Sequence, residues 1–242
     1  VAIGLLAVLA RRQRQDRSSH TSAVETRSRQ TQASYEAHGH VFQQLRGDAL
    51  QPSEQQLAQD VLQLARQAAP SQRLRVLDLG TGYGKFLSWW QHQPNVDAWG
   101  ADASPTMLQL ARARPEINPH RLIQLDAETL PFPPASFDVV FAHALYHHFD
   151  DPTVALREAW RVLKSGGILY VFVRRGDVHD WRDEGAGPMY YRYYLPEELA
   201  RFISAAGFRL ARMQPHHDPY PDRGIGFLTV MGIKQERKPH TF

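Results

Sequence analysis

The chain has no cysteine among its 242 residues. That absence removes disulfides, thiolate metal sites, iron–sulfur clusters and every mechanism that needs a thiolate nucleophile, cytosine C5 methylation included. Lysine is scarce too, four against 24 arginines. Long hydrophobic runs are missing except at residues 1–10, VAIGLLAVLA. Ten helical residues rise about 15 Å, half of a bilayer core that needs about 20 apolar residues, so the run cannot span as it stands. Beginning at Val and followed by Arg11, Arg12 and Arg14, it reads as the end of a membrane anchor or signal-like segment with a cytoplasmic flank, or equally as a frayed tail. A strong charge excess is also lacking. The formal net charge is +3, and residues 1–34 hold six arginines against Asp16 and Glu25, which leaves the remainder close to −1. The folded body therefore has no positive excess with which to track a polynucleotide. At 22% charged and 10% aromatic residues the composition excludes global disorder.

What is present divides into a tail over 1–34, whose part 11–34 has no apolar period and reads as a linker, and one domain over 35–242. A helix is expected over 52–69, opened by Pro52 with a Ser53–Gln56 capping box, faced by Leu57, Val61, Leu62, Leu64 and Ala65, and stopped by Pro70. Strand-like runs follow at 75–79, 96–101, 121–125, 137–142, 168–174, 208–213 and 226–233. Helical segments lie between most of them: one from Lys85, one opened by Ser104 and Pro105, one from Asp151 and Pro152 to the 164–167 stop, one over 196–206. This alternation implies an α/β fold, a Rossmann-like doubly wound, seven-stranded and mostly parallel sheet. The last two strands have no helix between them, so the final strand is antiparallel. Such a sheet takes its ligand at the carboxyl ends of the strands, near the switch point.

The segment VLDLGTGYG at 76–84 is a strand running into alternating glycines before a helix. Gly80, Gly82 and Gly84 allow a tight turn, and the backbone N–H groups and helix N-terminus there suit an anionic or polar ligand. A dinucleotide fingerprint would want a third glycine where Lys85 stands. Asp102 ends the second strand, where a carboxylate can accept both hydroxyls of a ribose. Together they point to a nucleoside-bearing cofactor.

Five segments in order, LDLGTGYGKF, GADASPTMLQLAR, LDAETLPFPPASFDVV, HHFDDP and ALREAWRVLKSGGIL, resemble the class I S-adenosylmethionine-dependent methyltransferases, in the type 11 group that includes the ubiquinone and menaquinone biosynthesis C-methyltransferases. The resemblance is close over 35–175 and loose over 190–233. It implies S-adenosylmethionine as cofactor, with Asp78, Gly80, Thr81, Gly82 and Gly84 at its methionyl end, Asp102 on the ribose, Ala103 and Met107 beside the adenine, and Asp126 and Ala127 on the adenine amino group and ring. It also implies that His143 faces the reaction site and that Tyr35 closes over the cofactor. It puts in doubt the turn at Pro134, where relatives often carry an acidic or polar residue.

An oxygen or nitrogen acceptor must lose a proton, and His147 and His148, with His143 nearby, are the candidate bases because imidazole titrates near neutrality. His148 also belongs to a loop pattern common in the family, which is a structural reading of the same residue. With no carboxylate joining these histidines, no metal site is expected. The aromatic stretch 175–195, with His179, Trp181, Tyr190, Tyr191, Tyr193 and Tyr194, reads either as a lid lining an acceptor pocket or as packing under a loop. The expected activity is methyl transfer to a small-molecule acceptor in the cytoplasm, with membrane association through the N-terminus and without nucleic acid. The alternatives are a tRNA or RNA methyltransferase, which YRYYLPEEL at 191–199 loosely resembles, a nicotinamide-dependent oxidoreductase, and a non-catalytic S-adenosylmethionine-binding protein.

Overall fold

The computed structural model describes residue 27 and residues 29–69, 72–216 and 226–235. The apolar run at 1–10, the arginines that follow it, Pro70 and the connection at 217–225 lie outside the described residues. Among the described residues no helix is long and apolar enough to cross a membrane.

Nine strands occur in chain order: β1 (Leu74–Leu79), β2 (Val96–Asp102), β3 (Leu122–Gln124), β4 (Phe137–His143), β5 (Leu163–Arg175), β6 (His179–Asp183), β7 (Pro188–Arg192), β8 (Phe208–His216) and β9 (Gly226–Lys234). Seven form one sheet in the order β3-β2-β1-β4-β5-β9-β8, and β6 and β7 form a separate hairpin. Strands β1 to β5 pair in parallel, while β9 runs antiparallel between β5 and β8. The helices are α1 (29–46), α2 (Pro52–Ala68), α3 (Lys85–Gln91), α4 (Pro105–Arg112), α5 (Thr153–Val162) and α6 (Pro196–Ala205).

The central strands are covered on both faces, which is why they read as nearly continuous apolar runs. Their period of two nevertheless sorts them into two cores. Val76, Val139, Phe141, Ile168, Tyr170 and Phe172 face the layer with α2, α3 and α4. Leu77, Val140, Ala142, Leu169, Val171 and Val173 face α5 and α6. By the same alternation Asp78, His143 and Arg174 fall on the first face, at the carboxyl rim.

Four local readings differ from the structure. Residues 29–34 are helical, not linker; the buried face there is polar, with Thr31 accepting the Tyr190 N–H and Ser34 donating to the Pro188 carbonyl, so no apolar period marks it. The capping box of α2 is Gln51 with Glu54, two residues earlier than Ser53 with Gln56, because Pro52 takes the first helical position. Helix α5 stops at Val162, and residues 163–167 are already strand, since Leu163 pairs with Phe137. The stretch 175–195 contains a hairpin, with Trp181 opposite Tyr190. The turn at Pro134 is held by Ser136, which donates to the Pro133 carbonyl at 2.6 Å.

Gly84 begins α3 in the left-handed region, and a Cβ there would run into the Ile117 side chain. Gly82 is also left-handed, but a Cβ there would meet nothing within 4 Å. Gly84→Ala is therefore expected to lower stability by about 2 kcal/mol or more and Gly82→Ala by only about 1 kcal/mol; urea unfolding midpoints of the two variants check the order.

Candidate functional site

The reversal of strand order between β1 and β4 opens a crevice at the carboxyl ends of the strands. A cleft of about 260 Å³ occupies it. Tyr35, Asp78, Gly80, Thr81, Gly82, Asp102, Ala103, Met107, Asp126, Ala127, His143, His147 and His148 all line it. Gly84 does not; it packs beneath, against Ile117 and Ala111. A second hollow of about 280 Å³ sits at the opposite end of β2, among Arg73, Asp97, Glu116 and Arg121. Size does not separate the two. Only the first has strand carboxyl ends and a glycine turn in its wall.

The rim is assembled from backbone and carboxylates. Asp102 accepts the Gly82 N–H at 2.8 Å on one oxygen and the Ser104 N–H at 2.9 Å on the other. Asp78, buried behind the turn, accepts the Thr81 hydroxyl at 2.6 Å. Burial pushes the Asp78 carboxyl up to about 7 against the pull of the Thr81 hydrogen bond, with the Asp102 charge adding to the rise. Asp102 is raised by burial as well, opposed by the backbone N–H groups of Ser104 and Gly82. Asp126 lies past the end of β3 and accepts the Glu128 N–H. Two desolvated carboxyls beside an open glycine turn suit a ligand that brings a cation and hydroxyl donors.

The three histidines differ. His148 is engaged at both ring nitrogens: Nδ1 donates to the Tyr190 carbonyl at 2.9 Å, which leaves Nε2 to accept the Tyr35 hydroxyl at 3.0 Å. It is a latch between α1 and the hairpin, the structural reading of this residue. His147 is buried and its Nδ1 has no hydrogen-bond partner among the described residues. His143 stacks on Phe172 with centroids 4.3 Å apart, and its Nδ1 lies 3.4 Å from the Tyr170 hydroxyl. Burial drives His143 down to about 3, with Lys85 and Arg46 adding to it, and His148 down to about 4. His147 falls well below the ordinary range for the same first reason. All three are neutral at pH 7 and weak as proton acceptors.

Of the aromatic residues singled out in 175–195, Tyr191 lines the cleft. Tyr194 donates to the Tyr146 carbonyl and Tyr193 accepts from Arg174, which is packing; Trp181 is partly exposed. The cleft also recruits Thr31, Gln32, Arg46, Glu54, Phe172 and Arg174, none of them expected from sequence. Strand parity could have placed Phe172 and Arg174 on the face of Asp78. Nothing local marks Arg46 or Glu54, which arrive by the packing of α1 and α2.

An open α/β sheet with a glycine turn and paired acids at its switch point defines a protein that takes a nucleoside-bearing ligand. Comparison with known proteins narrows this. A family model described as a methyltransferase domain matches residues 77–171. A demethylmenaquinone methyltransferase of Deinococcus radiodurans is 40% identical over 186 residues, 73% of this chain and 77% of that protein. The chloroplastic 2-methyl-6-phytyl-1,4-hydroquinone methyltransferase 1 of Oryza sativa subsp. japonica is 31% identical over 174 residues, 71% of this chain and 48% of that protein. The chain thus spans about half the length of the rice relatives it matches. The crystal structure of the (4+2)-cyclase SpnF superposes with a TM-score of 0.66 at 20% identity, covering 87% of this chain and 97% of that one; at that identity the likeness is one of fold. The chain belongs to the class I S-adenosylmethionine-dependent methyltransferases of the type 11 group.

The raised Asp78 has a consequence for stability. Its folded value of about 7 lies above the ordinary value of 3.8, so folding favours the protonated acid. Its contribution is fully favourable below the unfolded value and is lost as pH rises through about 7, at a cost on the order of 4 kcal/mol. Asp78→Asn is expected to unfold at a temperature several degrees higher than the parent at pH 8 and close to the parent at pH 4; thermal melts at the two pH values check the sign.

Proposed function

We propose that the chain transfers the methyl group of S-adenosylmethionine to a small-molecule acceptor of the quinol type. The observation that carries this reading is the convergence of Asp78, Asp102 and Asp126 with Gly80 and Gly82 on one cleft. The Deinococcus demethylmenaquinone methyltransferase and the rice hydroquinone methyltransferase support the acceptor class.

The donor set fits the cofactor. Asp78, with its poorly solvated carboxyl, gains a counter-ion from a cationic methionyl end. Asp102 keeps lone pairs beyond those given to Gly82 and Ser104 and can accept the ribose hydroxyls. Asp126 is available to an exocyclic amino group, and Ala103, Met107 and Ala127 offer an apolar wall to the adenine. The open space at Gly82, where a Cβ would touch nothing, is room for the ligand. When bound, S-adenosylmethionine supplies a methyl carbon already activated by its sulfonium.

The protein's remaining task is alignment and exclusion of water. Tyr35 on α1 does both: its hydroxyl bonds to His148 and its ring packs edge-on to Phe42 at 5.3 Å, so α1 lies over the cofactor end of the cleft. The RNA alternative rests on the basic tail 1–34, most of it outside the described residues, and on a YRYYLPEEL stretch that supplies buried tyrosines here.

Calorimetry is expected to detect binding of S-adenosylmethionine or its demethylated product and no binding of NAD; the opposite outcome defeats the reading. Asp102→Ala is expected to weaken the product about 100-fold, from two lost hydrogen bonds to a charged acceptor, with a stability loss of about 1–2 kcal/mol from the freed Gly82 and Ser104 N–H groups.

A further inference from the structure

The cleft has a second character besides its carboxylates. Phe42, Phe86, Phe172, Tyr191 and Phe227 wall it with rings. Among them stand three cations from three elements, Arg46 on α1, Lys85 on α3 and Arg174 on β5. Two acids answer them. Glu54 pairs with Lys85 at 2.7 Å, and Glu184, from the hairpin loop, pairs with Arg46 at 2.8 Å and with Arg174 at 2.6 Å. Around these pairs stand three cations and two acids, with Asp78, Asp102 and Asp126 elsewhere in the same wall, and Lys85, Arg174 and Glu54 are all buried. Arg174, 3% exposed, has an Nε–H buried with no acceptor among the described residues. A cationic donor without an acceptor, set among aromatic rings, suits an oxygen anion on a ring.

No histidine of the cleft is suited to removing a proton from a phenolic hydroxyl. His148 has both nitrogens engaged, and His143 and His147 sit under the field of the cations, with His216 on the far side of Phe172 adding no negative charge. Tyr191 faces the cations as a neutral phenol, raised to about 12 by burial. The carboxyls of Asp78 and Asp102 belong to the cofactor in the proposed function.

We infer that the Arg46–Lys85–Arg174 cluster takes the acceptor as an aromatic oxyanion, so that the acceptor is ionised by the local field of these three side chains and no histidine acts as its base. The O–H bond of the hydroxyl breaks, its electron pair stays on oxygen against the cluster, and the proton leaves to solvent. The ring is thereby made electron-rich before the methyl group is presented. A cation within about 4–6 Å lowers an acid's pKa by about 1–3 units, which is the effect required. The inference rests on the methyltransferase reading and deepens it.

The probe is 4-nitrophenol, whose anion is yellow, titrated by absorbance with the full chain saturated in S-adenosylhomocysteine. The bound phenol is expected to ionise at least one unit below the free one, corresponding to phenolate bound about tenfold or more tighter than phenol. Arg46→Gln, which leaves Glu184 paired with Arg174, is expected to remove most of that preference while changing S-adenosylhomocysteine affinity less than about threefold; Lys85→Met should do the same and Lys85→Arg should restore it. A bound phenol that ionises at or above its free value, a preference untouched by either charge-removing variant, or no nitrophenol binding in the presence of bound S-adenosylhomocysteine overturns the inference and leaves the methyltransferase reading standing. Failure of S-adenosylhomocysteine to bind strikes at that reading itself.

Discussion

A single carboxylate ties the rim of this sheet together. Asp102 stands at the end of β2 and holds, one oxygen each, the N–H of Gly82 in the turn after β1 and the N–H of Ser104 at the head of α4. Parallel strands put all their carboxyl ends on one side, and this pair of bonds fixes the distance between two of those ends. The left-handed turn at Gly82, the entry angle of α4 and the burial of Asp78 behind Thr81 all follow from it. Where antiparallel strands would have scattered these groups to two edges, the crossover topology collects them.

The arrangement is held against a solvation cost. Burial raises both Asp78 and Asp102, and among the described residues Asp78 has the Thr81 hydroxyl and the Leu87 backbone as partners but no ion-paired cation. A site of this kind is poised for a cationic ligand, because the ligand relieves what folding imposed. The opposite sign prevails elsewhere in the cleft, where Arg46, Lys85 and Arg174 outnumber Glu54 and Glu184. One cavity thus carries both acids and cations in its wall.

Helix α1 and the β6–β7 hairpin cover both. Polar contacts join them, Thr31 to the Tyr190 backbone and Ser34 to the Pro188 carbonyl, and apolar ones as well, with Tyr35, Val41 and Phe42 packed against the cluster that holds Met189 and Tyr191.

The mostly parallel sheet with its antiparallel last strand, and several residues of the cleft, could be read from the chain, because each is written in local chemistry: apolar runs of strand length, glycines after a strand, an acid at the next strand's end. Asp78, Gly80, Gly82, Asp102 and Asp126 are neighbours of such signals. Residues 29–34 could not be read, since their helix buries serine and threonine against a partner more than 150 positions away. Nor could the hairpin, whose tyrosines look alike in sequence while one lines the cleft and the others pack. The cations and their acids come from α1, α2, α3, β5 and the hairpin loop, and no spacing along the chain records that they meet. Local pattern determines which elements form and which of their ends bear functional groups; long-range packing alone decides which buried charges face one another, because electrostatic pairing depends on distance in space and not on separation in sequence.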